Sequence, residues 1–148
     1  MAYLEAPNRL DSYPSPSIFL AGGITGVGNW QKDTANALEM LFPNLLVMNP
    51  RRENFDVNDP SAAGEQIKWE HHHLMKAEQH LFWFSDETLQ PIALFELGKI
   101  SAHVGKPLHV GVHPLYKRRM DVIIQLRHVR PDVYVYDSLL ETVADVQV

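Results

Sequence analysis

Leu81-Phe82-Trp83-Phe84 runs into Ser85-Asp86-Glu87-Thr88-Leu89-Gln90 and then into Pro91-Ile92-Ala93-Leu94-Phe95-Glu96-Leu97-Gly98. An unbroken apolar run, a polar stretch and a proline-led helical stretch read as strand, loop and helix. Proline suits the first turn of a helix, where its missing N–H would have no intrahelical partner in any case. Ile92, Glu96 and Ile100 follow one another at i, i+4 and i+8, so they share a helical face. A carboxylate is thereby set among apolar side chains near the start of a helix, at the mouth of a sheet. Buried, ionised and unpaired, it would be costly. A chain that keeps a carboxylate in such a place uses it or pairs it.

The same unit recurs on either side. Upstream, Ser17-Ile18-Phe19-Leu20-Ala21 is a short apolar run, as expected of a strand covered on both faces. Gly22-Gly23-Ile24-Thr25-Gly26-Val27-Gly28 follows it. Glycines there permit positive φ and close approach of backbone to a ligand. The loop is neither the dinucleotide fingerprint nor a Walker loop, and a plain tight turn remains the alternative. Asn29 is a candidate N-cap for a helix over Trp30–Phe42, with Thr34, Leu38, Leu41 and Phe42 as its apolar stripe. Leu45–Met48 is the next strand, closed by Asn49-Pro50-Arg51-Arg52. Residues 53–64, with Asp56, Asp59 and Pro60, read as a long polar loop and a candidate lid. A helix over Glu65–Glu78 places Ile67, Leu74 and Ala77 on its buried face, and Glu70 falls on that same face. This is a second carboxylate on an apolar stripe.

Downstream, the opening helix extends to about Val104. Leu108–Val112 is a strand, His113–Arg119 a basic and aromatic loop, Met120–Arg127 a helix and Val133–Tyr136 a final strand. Asp137 or Ser138 caps a short last helix. Residues 1–16 read as an extended arm and 17–148 as one domain. Strands alternating with helices imply an α/β fold: a doubly wound parallel sheet with helices on both faces. For five strands the flavodoxin-like order 2-1-3-4-5 is expected, with its switch point between the first and third strands. That point gathers Gly22, Gly23, Glu70 and the loop leading to Glu96.

Composition narrows the function. The chain has 148 residues, 45% hydrophobic and 21% charged, with a formal net charge of −5. Such a balance opposes broad nucleic-acid binding, which needs a basic footprint, but not a small nucleotide ligand. With no cysteine there is no thiol nucleophile or thiolate metal site. Glu70-x-x-His73, inside His71-His72-His73, is half of a di-iron pattern without its second copy, so no metal is expected. No apolar run is long enough for a membrane span and the first residues lack a secretory pattern, so a cytoplasmic protein is expected.

Four segments, in order, carry a resemblance: Ile18–Ile24 with Trp30-Gln31, Asn49–Arg52, Gln66-Ile67-x-Trp69-Glu70, and Pro91–Gly98. Over roughly residues 17–125 the chain resembles the nucleoside 2-deoxyribosyltransferase family. The resemblance implies that Glu96 is the nucleophile and that Glu70, where the best-known branch has aspartate, orients it or handles a proton. It implies substrate contacts from Gly22, Gly23 and Ile24. Gln90 stands where that branch has an aspartate serving the base. Trp30 is a candidate for stacking on the base or, equally, a core residue at a helix start. Asn49 and Arg51 are candidates to bind base or sugar, and Arg51 or Arg52 could instead hold a 5′-phosphate.

The activity implied is transfer of 2-deoxyribose between nucleobases by double displacement, without cofactor, in nucleotide salvage. The implied partners are a deoxynucleoside and a free nucleobase, with no nucleic-acid polymer and no membrane. The implied assembly is a homo-oligomer with sites near subunit interfaces. The alternatives are an N-glycosidase acting on 2′-deoxynucleoside 5′-monophosphates and a non-catalytic nucleotide-sensing module on the same fold.

Overall fold

The computed structural model describes residues 3–53 and 59–148. Its strands are β1 (Tyr3–Glu5), β2 (Ser17–Gly22), β3 (Leu46–Asn49), β4 (Gln79–Phe84), β5 (Leu108–Val112) and β6 (Val135–Tyr136). Its helices are α1 (Trp30–Leu41), α2 (Pro60–Lys76), α3 (Pro91–Ser101), α4 (Arg119–Val129) and α5 (Leu139–Ala144). All strand pairs are parallel and the sheet order is β1-β3-β2-β4-β5-β6. The five expected strands stand in the expected order, 2-1-3-4-5. The sixth is Tyr3–Glu5, which pairs with β3 at the edge. Short polar segments between Tyr3 and Ser17 hide that pairing from a sequence reading.

The apolar runs are unbroken because helices cover both faces. Along β2, Phe19 and Ala21 join a core with Trp69 and Leu74 of α2, Ala93, Leu97 and Ile100 of α3, and Val122 and Leu126 of α4. Ile18 and Leu20 point the other way, into a core with Trp30, Ala35 and Leu38 of α1 and Val143 of α5. Phe19, Phe82 and Trp69 are almost wholly buried. Truncating any of them to alanine would cost about 3–5 kcal/mol.

Local chemistry explains the helix starts. Asn29 caps α1 by accepting from Lys32 N–H, and Ser138 caps α5 by accepting from Glu141 N–H. Asp59 accepts from Ser61 N–H with Pro60 next in line, so α2 begins five residues before the expected Glu65. That end of the expected polar loop is therefore helix. Of the lid expected over 53–64, residues 54–58 lie outside the described residues.

Two residues expected on buried stripes are exposed, Leu41 at 58% and Ile67 at 67%, and Ile92, expected on the face of Glu96, is exposed at 65%. On α2 the buried face is drawn by Trp69, His73 and Leu74 instead. His73 is affordable there because both ring nitrogens have partners. Its Nδ1–H donates to Trp69 O (2.7 Å), and Nε2 accepts from the Tyr13 hydroxyl (2.7 Å). His73 also stacks on the Trp69 ring, and Trp69 Nε1–H donates to Asn8 O. The N-terminal residues thus clamp α2 onto the sheet. Among the described residues no helix is long and apolar enough to cross a membrane.

Candidate active site

The sheet order makes its reversal between β2 and β4. The chain leaves β2 toward β3 on one side and leaves β4 toward β5 on the other, so the loops after these two strands part. A crevice forms there, as it does in open parallel sheets generally. It is a cleft of about 340 Å³, lined by Gly22–Thr25 after β2, Pro50 after β3, Glu70 of α2, Thr88–Gln90 after β4, and Pro91–Ala93 and Glu96 of α3.

The two glycines at the end of β2 are required by crowding. A Cβ on Gly22 would lie 2.4 Å from Trp83 O and 2.5 Å from Trp30 Cζ2; on Gly23 it would lie 2.7 Å from Val27 Cγ2 and 2.8 Å from Gln90 Cγ. In this loop only Gly26 has positive φ (74°). Gly23 is also fully bonded. Its N–H donates to Gln90 Oε1 (3.1 Å), and its carbonyl accepts from Trp30 Nε1–H (3.0 Å) and Gln31 Nε2–H (2.9 Å).

Gln90 holds the opposite wall. Its own backbone is left-handed (φ 55°), and its Nε2 donates to Ser85 O (2.9 Å) and Thr88 O (3.0 Å). One buried amide thereby joins the β2 loop to the β4 loop. From the far side, the Tyr116 hydroxyl donates to Leu89 O and fixes the same loop.

Two carboxylates face this cleft. Glu70 is pushed above the usual carboxylate range by burial, opposed by a hydrogen bond from Gln66 Nε2 (2.9 Å). Glu96 is pushed up to about 8, first by burial and then by the negative charge of Glu70, with Lys99 pulling weakly the other way. Burial thus favours the protonated form of both, and the charge of Glu70 adds to the effect at Glu96. Two like charges in one partly dry cleft cannot both form cheaply.

The structure brings Glu96, Glu70, Gly22, Gly23, Ile24 and Gln90 to one cleft and leaves Trp30, Asn49 and Arg51 outside its lining. Trp30 is buried beneath Gly22 and bonded to Gly23. Asn49 donates to the Tyr3 hydroxyl and accepts from Arg51 N–H. The Arg51 guanidinium is spread over Val27 O, Gly28 O and Gln31 Oε1, so it braces the glycine loop from behind. Asn49 and Arg51 border a separate polar basin with Tyr3, Lys32 and Glu53.

Sequence reasoning did not single out Thr25, Pro50, Thr88, Leu89, Pro91 or Ala93 as lining residues. It also gave Gln66 no role, though Gln66 stands one helical turn before Glu70 in a quoted segment. That i, i+4 spacing was the available signal.

Residues 15–116, most of the chain, match a family model described as nucleoside 2-deoxyribosyltransferase like. Among curated proteins no relative matches. The match takes in the glycine loop, the whole of α2 and α3, and so every wall of the cleft; the chain belongs to the nucleoside 2-deoxyribosyltransferase-like family.

Proposed function

We propose that the protein exchanges the nucleobase of 2′-deoxyribonucleosides through a covalent deoxyribosyl ester on Glu96. The observation that carries this reading is the pair Glu70 and Glu96, set in one cleft where burial raises both and the charge of Glu70 raises Glu96 further. A carboxylate is a competent nucleophile at an anomeric carbon whose transition state resembles an oxocarbenium ion. A 2-deoxy sugar lacks the electron-withdrawing 2-hydroxyl, so positive charge at C1′ builds readily.

The proton count closes within the pair. As the C1′–N bond lengthens, Glu70 takes the proton from Glu96. The electron pair freed on the Glu96 oxygen forms the bond to C1′. The pair of the C1′–N bond leaves with the base, which takes the proton from Glu70. A second base enters and the steps reverse, giving ping-pong kinetics and retained configuration. Gln90 acts in this scheme as a strut between the two walls, because its amide is engaged by Gly23, Ser85 and Thr88.

The lining also favours an unphosphorylated substrate. Among the described residues it contains no lysine or arginine, and its two carboxylates would repel a phosphate. Arg51 is turned to backbone carbonyls of the glycine loop. Leu89 and Ile92, exposed at 49% and 65% on the rim, suit closure by a second copy of the chain, which would exclude water and favour transfer over hydrolysis.

The test is incubation with 2′-deoxyinosine and free adenine or cytosine, followed by chromatography, beside Glu96→Ala. A new deoxynucleoside, lost in the variant, is the expected result. Base release without exchange would replace this reading with hydrolysis, to be repeated on the 5′-monophosphate. No turnover on either substrate would leave a binding module.

A further inference from the structure

We infer that Gln66 is the positioning residue that divides the work of the carboxylate pair, holding Glu70 as the charged, proton-accepting member and leaving the proton on Glu96. The inference rests on the proposed exchange reaction. It starts from the orientation of one amide. Gln66 Nε2 donates to Pro50 O (2.6 Å) and to Glu70 Oε1 (2.9 Å). Both partners are acceptors, so turning the amide over would set its oxygen against a carbonyl and a carboxylate. The cost of this orientation is visible: Gln66 Oε1 is buried with no hydrogen-bond partner among the described residues. An unsatisfied buried acceptor is unfavourable, and the two N–H bonds determine the orientation despite it.

The consequence is an asymmetry between two otherwise similar side chains. Glu70 has a hydrogen bond to its charged form, whereas burial and the Glu70 charge act on Glu96 with no hydrogen bond in support among the described residues. A donor aimed at a carboxylate favours ionisation. The other charged groups near the pair do not supply the difference. On α3 there is Lys99, which pulls Glu96 toward ionisation and meets His71 of α2 (3.4 Å). Among the described residues the β2 loop brings no ionisable side chain to the cleft; from the turn after β3 Pro50 lines it, while Arg52 Nη2 donates to Ala62 O of α2 (3.3 Å); and from the β4 loop Glu87 accepts from Gly28 N–H. Through Pro50, Gln66 also ties the second turn of α2 to the residue that follows β3, so the donor that polarises Glu70 is fixed to the sheet.

The experiment compares wild type with Gln66→Met, which keeps length and loses the donor, and Gln66→Glu, which puts a charge there. Two readouts are taken on each: the pH profile of kcat/KM for base exchange, and titration of the glutamate carboxyls by ¹³C NMR. Wild type is expected to give a bell, since one proton must be present on the pair. In Gln66→Met the Glu70 titration and the acid limb are expected to move up together by roughly one pH unit, because charge-assisted hydrogen bonds are worth that much. In Gln66→Glu both limbs are expected to move up.

A purely structural role would lower the bell without moving its limbs, and that result would overturn the inference. So would an unmoved Glu70 titration in a folded Gln66→Met, and so would a moved titration with an unmoved limb. If wild type shows no exchange at all, the exchange reading fails. The NMR titration then still decides whether Gln66 holds Glu70 in its charged form.

Discussion

His80 and Glu96 lie at opposite ends of one strand–loop–helix unit, and burial drives both to their neutral forms. His80, at the start of β4, is brought down to about 4 by burial, with Lys106, His103 and His109 adding repulsion. Glu96, beyond the other end of β4, is pushed up to about 8. The resemblance ends with their partners. His80 is wholly buried, and its Nε2–H donates to Leu74 O at 2.6 Å, so its neutral form has a fixed structural use. Glu96 opens onto a cleft, faces a second carboxylate and, among the described residues, has no hydrogen-bond partner for its carboxyl. A shifted titration marks a functional group only when the group is accessible and its proton is free to move.

The largest expected effect tests the Glu96 end. Glu96→Gln should lower base exchange by at least about 10³-fold, as loss of a nucleophile does. The same variant should be more stable than wild type. As pH rises from 4.5 to about 8, the unfolded glutamate ionises while the folded one keeps its proton, so wild-type stability falls through that window and levels above it. Urea unfolding at pH 5 and pH 8 should show the variant's advantage growing with pH. An equal difference at both would break the contrast with His80.

The His80 end has the opposite sign. Between pH 6.5 and about 4 the unfolded histidine gains a proton and the folded one does not, so stability falls on acidification. By pH 4.5 the loss should be on the order of 2 kcal/mol. His80→Leu should flatten that acid-side fall and leave the pH profile of exchange unmoved. A moved catalytic profile would show that the two ends are coupled.

The smallest effect sharpens the description of the cleft itself. Gln90→Ala removes the amide that joins the two loops, and should lower kcat by about 10-fold to 100-fold through misplacement of the walls. The ratio of rates for adenine and cytosine as acceptors should stay the same. A changed ratio would instead make Gln90 a ligand of the base.

Much of this arrangement was legible in the residues. Runs such as Ile18–Ala21 and Leu81–Phe84 declare strands covered on both faces, and their alternation with helices gives the sheet order. Glu70 and Glu96 stood out because each interrupts an apolar stripe. Their faces were read less well. Ile67 was placed on the buried face by periodicity, yet it is exposed, and Ile92, placed on one face with Glu96, lines the cleft. Spacing shows that side chains share a face but not whether that face meets the sheet or a cavity. Asn49, Arg51 and Trp30 sit at the right strand and helix ends, but their side chains turn to the glycine loop and to Tyr3. A sequence fixes where such residues leave the backbone, and hydrogen-bond competition decides where their tips go. Gln66 was missed for the same reason, since its role lies in the two acceptors it reaches.

The pairing of Tyr3–Glu5 with β3 has a consequence for solubility. Without it, the outermost strand would be Leu46–Asn49, whose residues are all buried, leaving an unpaired row of backbone donors and acceptors beside apolar side chains. Edges of that kind recruit other chains. The sheet instead ends on one side in a strand of three residues and on the other in β6, a strand of two. Short edges of this kind offer little to pair with. The segment that clamps α2 through Asn8 and Tyr13 therefore also guards the sheet against aggregation.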